Sequence, residues 1–177
     1  MPFAAASELA HPNGAENHWK VMMVDDDSQV HQVTKLALRR FRFQGRRLSF
    51  LSAYSAQAAI ELLQTHPDTA LIFLDIVMET SDAGFQVIEQ VRDRMANRAL
   101  QIVVRTGQPG EAPEELVVLK YGINDYQTKV ELTQQKLFTT LVTGLRAFQY
   151  LTELQGSLAA AKQRCRELEQ VMEQLRP

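Results

Sequence analysis

From Trp19 onward the chain alternates short apolar runs with longer amphipathic stretches, and this alternation narrows its possible folds more than any other feature. The runs are "VMMV" (Val21–Val24), "LSFLSA" (Leu48–Ala53), "ALIFLD" (Ala70–Asp75), "QIVVR" (Gln101–Arg105) and a weaker "DYQT" (Asp125–Thr128). Their length and β-branched content read as strands buried on both faces. Between them lie helical patterns. Ser28 to Phe41 puts Val30, Val33, Ala37 and Phe41 on one face, with Ser28 as the expected N-cap. A second pattern begins near Ser55 and stops at "THP", where Pro67 forbids continuation. A third covers Phe85 to about Arg94, a fourth opens at Pro113 and closes at Gly122, and a fifth starts near Thr133. Strand followed by helix, five times over, predicts an α/β fold with a doubly wound five-stranded parallel sheet and right-handed crossovers that place helices on both faces.

The chain has 177 residues, 45% of them hydrophobic and 23% charged, which suits one domain with a real core plus an appendage. Residues 1–18, rich in Ala, Asn, Gly and Pro, read as a flexible leader with neither the basic nor the continuous apolar region of a secretory signal. No apolar run reaches the length of about 18 residues needed to span a membrane. A net charge of −2 gives no electrostatic reason to expect nucleic acid. One cysteine, Cys165, excludes an intrachain disulfide framework and suits a reducing cytoplasm.

The domain is expected over residues 19–148, and its last helix does not stop there. Leu151, Leu154, Leu158, Ala161, Cys165, Leu168, Met172 and Leu175 recur in alternating steps of three and four, a heptad seam. The flanking faces are polar, so residues 149–177 read as a coiled-coil helix continuous with the fifth helix, pairing two copies through 151–175, rather than a stripe packed on its own domain. In a parallel pair Arg164 at g meets Glu169 at the following e, and Gly156 falls at f, off the seam. The seam breaks off before Pro177 without a cap, as expected of a piece of a longer chain.

In an open parallel sheet, ligands bind beyond the carboxyl ends of the strands. The first strand delivers Asp25, Asp26 and Asp27 there, the third Asp75, the fourth Thr106 followed by Gly107, and the fifth Lys129. Clustered carboxylates without His or thiolate suit a hard cation such as Mg²⁺, which offsets their mutual repulsion. Such an ion holds a carboxylate ready for attack on a phosphoryl group, while an ammonium and a hydroxyl neutralise and bind phosphoryl oxygens.

The ordered set "VMMVDDD…LIFLDIVM…IVVRTG…DYQTKV" resembles the receiver domain of bacterial two-component response regulators, over about Lys20 to Phe148. The resemblance implies that Asp75 accepts a phosphoryl group from a histidine kinase or histidine phosphotransfer protein. It implies Mg²⁺ held by Asp25, Asp26, Asp75 and the backbone carbonyl of Val77, with Thr106 as the switch hydroxyl, Lys129 as the lysine of the site and Tyr126 as the rotating aromatic. The wording "FRFQGRRLSFLSAYSA", "METSDAGF" and "RTGQPGEAPE" is similar to receivers that precede HD-GYP-type cyclic-di-GMP phosphodiesterases, and no such output domain follows in this sequence. The chain departs from the receiver pattern at Glu79, which stands where proline is usual and precedes a one-residue insertion before Gly84. It departs again at Val130, where a cis-proline is usual. A non-proline cis bond costs roughly 3 kcal/mol, so a trans bond and a shifted loop are expected there. Val77 and Gln108 occupy positions that influence how fast the phosphoryl group is lost in this family.

Two other functions compete with a phosphorylation-controlled module that is not an enzyme in its own right. A haloacid-dehalogenase-type phosphatase would use Asp25 and Asp27 and leave Asp75 without a role. An unphosphorylated dimerisation scaffold would leave the whole acidic set unexplained. Asp27 itself reads as a solvated carboxylate near a helix N-terminus. Arg39, Arg40, Arg42, Arg46 and Arg47 read as a solvated or partner-docking face without direct nucleic-acid contact, and His11, His18, His31 and His66 lack metal-ligand spacing.

Overall fold

Met22 and Val24 of β1 (His18–Val24) lie buried in one core and Val21 and Met23 in another. A strand covered on both faces explains why "VMMV" does not alternate with polar residues. The chain is seen here as a computed structural model that describes residues 18–107, 114–129 and 133–174. After β1 come α1 (Ser28–Leu38), β2 (Arg42–Phe43), β3 (Arg46–Ala53), α2 (Ala56–Thr65), β4 (Leu71–Leu74) and α3 (Ala83–Glu89). There follow β5 (Gln101–Thr106), α4 (Glu114–Tyr121), β6 (Asp125–Thr128) and α5 (Gln134–Gln174).

The expected parallel strands pair in the order β3-β1-β4-β5-β6, but the sheet is six-stranded and mixed, which corrects the five-stranded expectation. β2 adds antiparallel to the edge, with Arg42 opposite Arg47 and Phe43 opposite Arg46. Its turn is Gln44–Gly45, at φ 50° and 75°, and two left-handed residues in succession give the twist that a two-residue hairpin needs. A strand of two residues is too short to show a period, so the hairpin was hidden among the arginines. Trp19 Nε1–H donates to the Phe43 carbonyl at 3.0 Å, and the Arg46 guanidinium lies 3.9 Å from the Trp19 ring centre, tying the hairpin to β1.

Helix boundaries depart from expectation for local reasons. His18, counted with the leader, begins β1. Asp27, not Ser28, caps α1: its backbone is extended and its carboxylate takes the Gln29 N–H at 2.8 Å. α2 begins near Ser55 as expected, and Ser55 caps it by accepting the Ala58 N–H. α3 ends in a single wider turn, Gln90–Arg94, where the Met95 N–H reaches the Gln90 carbonyl at 2.8 Å. Arg92 on that turn donates to the carbonyls of Asn97 (2.6 Å), Leu100 (2.9 Å) and Gly122 (3.1 Å), fastening the ends of three segments. Pro113, Gln108, Val130, His11, Leu175 and Pro177 lie outside the described residues.

α5 is unbroken over 41 residues. Leu137, Leu141 and Leu145 pack against β4 and β5 in the second core, with Phe148 half-buried beside them. At about 100° per residue, Cys165 then lies roughly 200° around the helix from Leu145. The seam therefore leaves the face that grips the domain, and Leu154, Leu158, Leu168 and Met172 are each more than half exposed. Packing of the stripe on its own domain is not seen among the described residues.

Candidate functional site

The strand order places β1 between β3 and β4, so the chain steps to one side of β1 and then crosses to the other. The crevice at such a reversal opens at the carboxyl ends of β1 and β4. Asp25 follows the last residue of β1, and Asp75 follows the last residue of β4, which pairs with it (Val24 opposite Leu74). The Asp25 N–H donates to the Ala53 carbonyl at 3.2 Å and the Asp75 N–H to the Val24 carbonyl at 2.9 Å, so both backbones belong to the sheet frame. Both carboxylates are 4% exposed, whereas Asp26 and Asp27 face solvent.

Oxygens of Asp25, Asp26 and Asp75 lie within 4.8 Å of one another. Lys129, directly after β6, extends its ammonium between two of these residues, 2.7 Å from Asp75 Oδ2 and 2.9 Å from Asp25 Oδ2. Burial pushes the Asp75 carboxyl above its usual range, and the negative charge of Asp25 adds to this, against the opposing pull of the Lys129 hydrogen bond. Burial works against the Lys129 ammonium too, but its bonds to Asp75 and Asp25 win and hold its pKa above the ordinary value. One ammonium thus leaves the carboxylate set with excess negative charge in a sheltered place. The donors are all oxygen, two of the three residues are buried, and the third opens to water. That set fits a hard divalent cation that retains several waters, so the residues present suit Mg²⁺.

Of the remaining expected site residues, Thr106 is buried at the end of β5 and Tyr126 half-buried on β6, opposite Val104. Alternation puts Thr106 on the Val104 face, the face that packs with Tyr126 against α3 and α4. Val77 is half-buried two residues past Asp75, and its N–H lies 3.4 Å from Asp75 Oδ1. Gly107 is exposed, and a Cβ there would sit 3.9 Å from Lys129 Cδ. Asp27, the acid that a dehalogenase-type phosphatase needs, is engaged in capping α1.

Four residues at this edge were not assigned a part. Gly84, in the first turn of α3, packs so close that a Cβ would lie 2.7 Å from Ile76 Cα and closer still to the Asp75 carbonyl. Arg105 is 6% exposed, donates to the Thr34 hydroxyl at 3.1 Å and lies over the Phe73 ring at 5.4 Å. Among the described residues its Nε has no hydrogen-bond partner; burial lowers its pKa, while the charges of Asp25 and Asp75 raise it. A cation inside "QIVVRT" was the available signal. His31, with Nε2 2.8 Å from the Asp25 carbonyl and its ring stacked on Tyr54, supports the β1–α1 loop. Glu79 accepts the Ala56 N–H at 2.8 Å.

The response regulator receiver domain family matches residues 21–142. The 3'3'-cGAMP-specific phosphodiesterase 2 of Vibrio cholerae serotype O1 is 44% identical over 137 residues, which is 77% of this chain and 26% of that protein. The chain therefore spans about a quarter of the length of this curated relative. Among solved structures, a CheY-like response regulator receiver domain protein from Methanospirillum hungatei superposes with a TM-score of 0.60 at 25% identity, over 74% of this chain and 97% of that one. The signal receiver domain of an HD domain-containing protein from Pseudomonas fluorescens superposes at 0.63 and 16% identity, over 75% and 98%, and shares the fold.

Proposed function

Because the chain belongs to the response regulator receiver domain family, we propose that it is a phospho-accepting signalling module with Asp75 as acceptor. The observation that carries this reading is the bridge from Lys129 Nζ to Asp75 Oδ2 at 2.7 Å and Asp25 Oδ2 at 2.9 Å, beside the three-carboxylate cluster. The donor is a histidine kinase or histidine phosphotransfer protein. An Asp75 carboxylate oxygen forms the new P–O bond while the P–N bond of the donor phosphohistidine breaks, and its electron pair returns to the imidazole. Asp25, Asp26, Asp75 and the Val77 carbonyl are the residues that would hold Mg²⁺, which supplies charge neutralisation for the transferred phosphoryl group. Lys129 releases part of its hold on Asp75 to bind a phosphoryl oxygen as a point charge, and the Thr106 hydroxyl donates to another. Tyr126, on the same face as Thr106, follows that movement and changes the surface beside α4 and α5.

The output runs through α5. Its exposed seam fits a second copy of this chain, in a parallel coiled coil over 151–175 that would carry the change to an output domain in a longer chain. A cyclic-dinucleotide phosphodiesterase is the output class that the curated relative favours. No helix among the described residues is long and apolar enough to cross a membrane, in keeping with a cytoplasmic module.

The test is incubation with Mg²⁺ and acetyl phosphate, read by intact mass, for the wild type, Asp75→Asn and Asp25→Asn. An acyl phosphate on the wild type that is absent from Asp75→Asn is expected. Steady phosphate release that survives Asp75→Asn and is lost in Asp25→Asn would sink the proposal in favour of a phosphatase, and no modification in any form would leave a scaffold.

A further inference from the structure

The loop from β4 to α3 carries both Asp75 and Val77, and its sequence "DIVMETSD" has Glu79 where receivers usually have proline. Glu79 is exposed, yet its Oε1 accepts the backbone N–H of Ala56 at 2.8 Å, across 23 positions of chain. Ala56 is the first residue of α2, so this N–H is among those that no carbonyl inside the helix can satisfy. Ser55 already takes the Ala58 N–H at 3.2 Å. Glu79 is thus a second cap, reached from a different loop. A carboxylate is well suited to this place, because the hydrogen bond is charge-assisted and the helix N-terminus favours negative charge.

This bond closes a ring of contacts around the acidic cluster. Asp25 is held to the end of β3 through the Ala53 carbonyl, and its own carbonyl meets His31 Nε2 at 2.8 Å. The His31 ring stacks on Tyr54 with centres 4.5 Å apart. Tyr54 and Ser55 lead into Ala56, where Glu79 takes over, and from Glu79 the chain returns through Met78 and Val77 to Asp75. The Asp25 and Asp75 loops are linked directly by the sheet and by the Lys129 bridge, and the outer link closes through the Glu79 side chain. Within the loop, the Met78 N–H donates to the Thr80 carbonyl at 3.2 Å and the Thr80 hydroxyl to Asp82 at 2.7 Å, while the Gly84 N–H donates to the Ile76 carbonyl at 3.0 Å and clips the two ends of the loop together. The Glu79 bond ties the middle of this loop to α2.

We propose that Glu79 is a positioning residue that holds the Val77 carbonyl in place for Mg²⁺, through a hydrogen bond to α2 that stands in for the backbone restriction of a proline. The inference rests on reading Asp25, Asp26 and Asp75 as the Mg²⁺ site. Among the described residues Glu79 has no hydrogen bond or ion pair with Asp75, so its effect on the site passes through the loop.

The experiment is Mg²⁺ titration of the unphosphorylated full chain by calorimetry, with melting temperature in EDTA measured on the same samples. Glu79→Ala is expected to weaken Mg²⁺ affinity about 10-fold, the low end of what loss of a supporting partner costs a metal site. Glu79→Gln keeps an acceptor oxygen and is expected to recover most of that affinity. Ser55→Ala removes the other cap of the same helix, lowers the melting temperature and is expected to leave Mg²⁺ affinity within about twofold, since only interactions with the metal-bound state shift that affinity. If Glu79→Ala lowers the melting temperature as Ser55→Ala does and leaves Mg²⁺ affinity unchanged, Glu79 is only a helix cap and the proposal is overturned. If the wild type takes up no Mg²⁺, or Asp25→Asn binds it equally well, the underlying site reading fails instead.

Discussion

The Lys129 ammonium stands 2.7 Å from Asp75 Oδ2 although 54 positions separate the two residues. The same nitrogen lies 2.9 Å from Asp25 Oδ2, so one cation binds together the ends of β1 and β4 from its place after β6. Two buried carboxylates side by side repel each other, and the fold tolerates them because this cation lies between them.

Lys129→Met should therefore destabilise the metal-free protein. Leaving Asp25 and Asp75 without their cation is expected to cost about 1–3 kcal/mol, below the range for fully buried pairs because the ammonium is partly solvated. Melting in EDTA should show the loss. Added Mg²⁺ should restore more stability to the variant than to the wild type, because it replaces the missing charge. Equal melting temperatures in EDTA would show that the bridge contributes nothing.

Asp75→Asn should have the opposite sign. Burial raises the pKa of Asp75 in the folded chain above its ordinary value. The folded state thus holds this proton more tightly than the unfolded state, and the contribution of Asp75 to stability falls as pH rises from the ordinary carboxylate value through the raised one. Asparagine does not ionise. In EDTA at pH 7 Asp75→Asn should melt higher than the wild type, and the gap should close as the pH falls below about 4, the ordinary carboxylate value. The raised pKa of Lys129 acts in a separate window, since that stabilisation is lost only in strongly alkaline solution. A constant gap across the acid range would contradict the assignment.

Gly84→Ala should disturb the acceptor from outside the site. The added methyl would press on the Asp75 carbonyl and Ile76 Cα, which are backbone and cannot swing aside. A cost of about 1–3 kcal/mol is expected, together with slower phosphorylation by acetyl phosphate. A variant with normal stability and normal kinetics would show that the first turn of α3 can move away freely.

The seam makes a prediction of its own. In a parallel, in-register pair the two copies of Cys165, exposed in the single chain, face each other, and mild oxidation should give a dimer band on a non-reducing gel. Leu158→Glu with Leu168→Glu should abolish that band and shift sedimentation to the monomer, leaving the fold of residues 18–148 intact. Absence of the band from the oxidised wild type would argue against parallel pairing.

The sequence alone determined the parallel strands; for the inner β1, β4 and β5 burial on both faces leaves continuous apolar runs that need no knowledge of their neighbours, whereas β3 and β6, expected to be buried likewise, are only partly covered. It also determined which side chains stand at the strand ends, since a strand boundary is a local property and the rule for parallel sheets does the rest. Hence Asp25, Asp75 and Lys129, which the structure brings into contact, were legible as strand-end residues, and the unbroken final helix was legible from its heptad steps. Only the tertiary structure decided how these groups act on one another. The Lys129 bridge, the Arg105 bond to Thr34 across 71 positions and the Glu79 bond to Ala56 have no sequence period, because each depends on which distant segments the packed fold brings within 3.1 Å. The hairpin of β2 and the capping role of Asp27 were missed for a smaller reason: two residues make no pattern, and three adjacent aspartates look alike until one backbone turns into a helix. Position along the chain told which charges reach the crevice, and packing told which of them are sheltered from water, where their pairing matters.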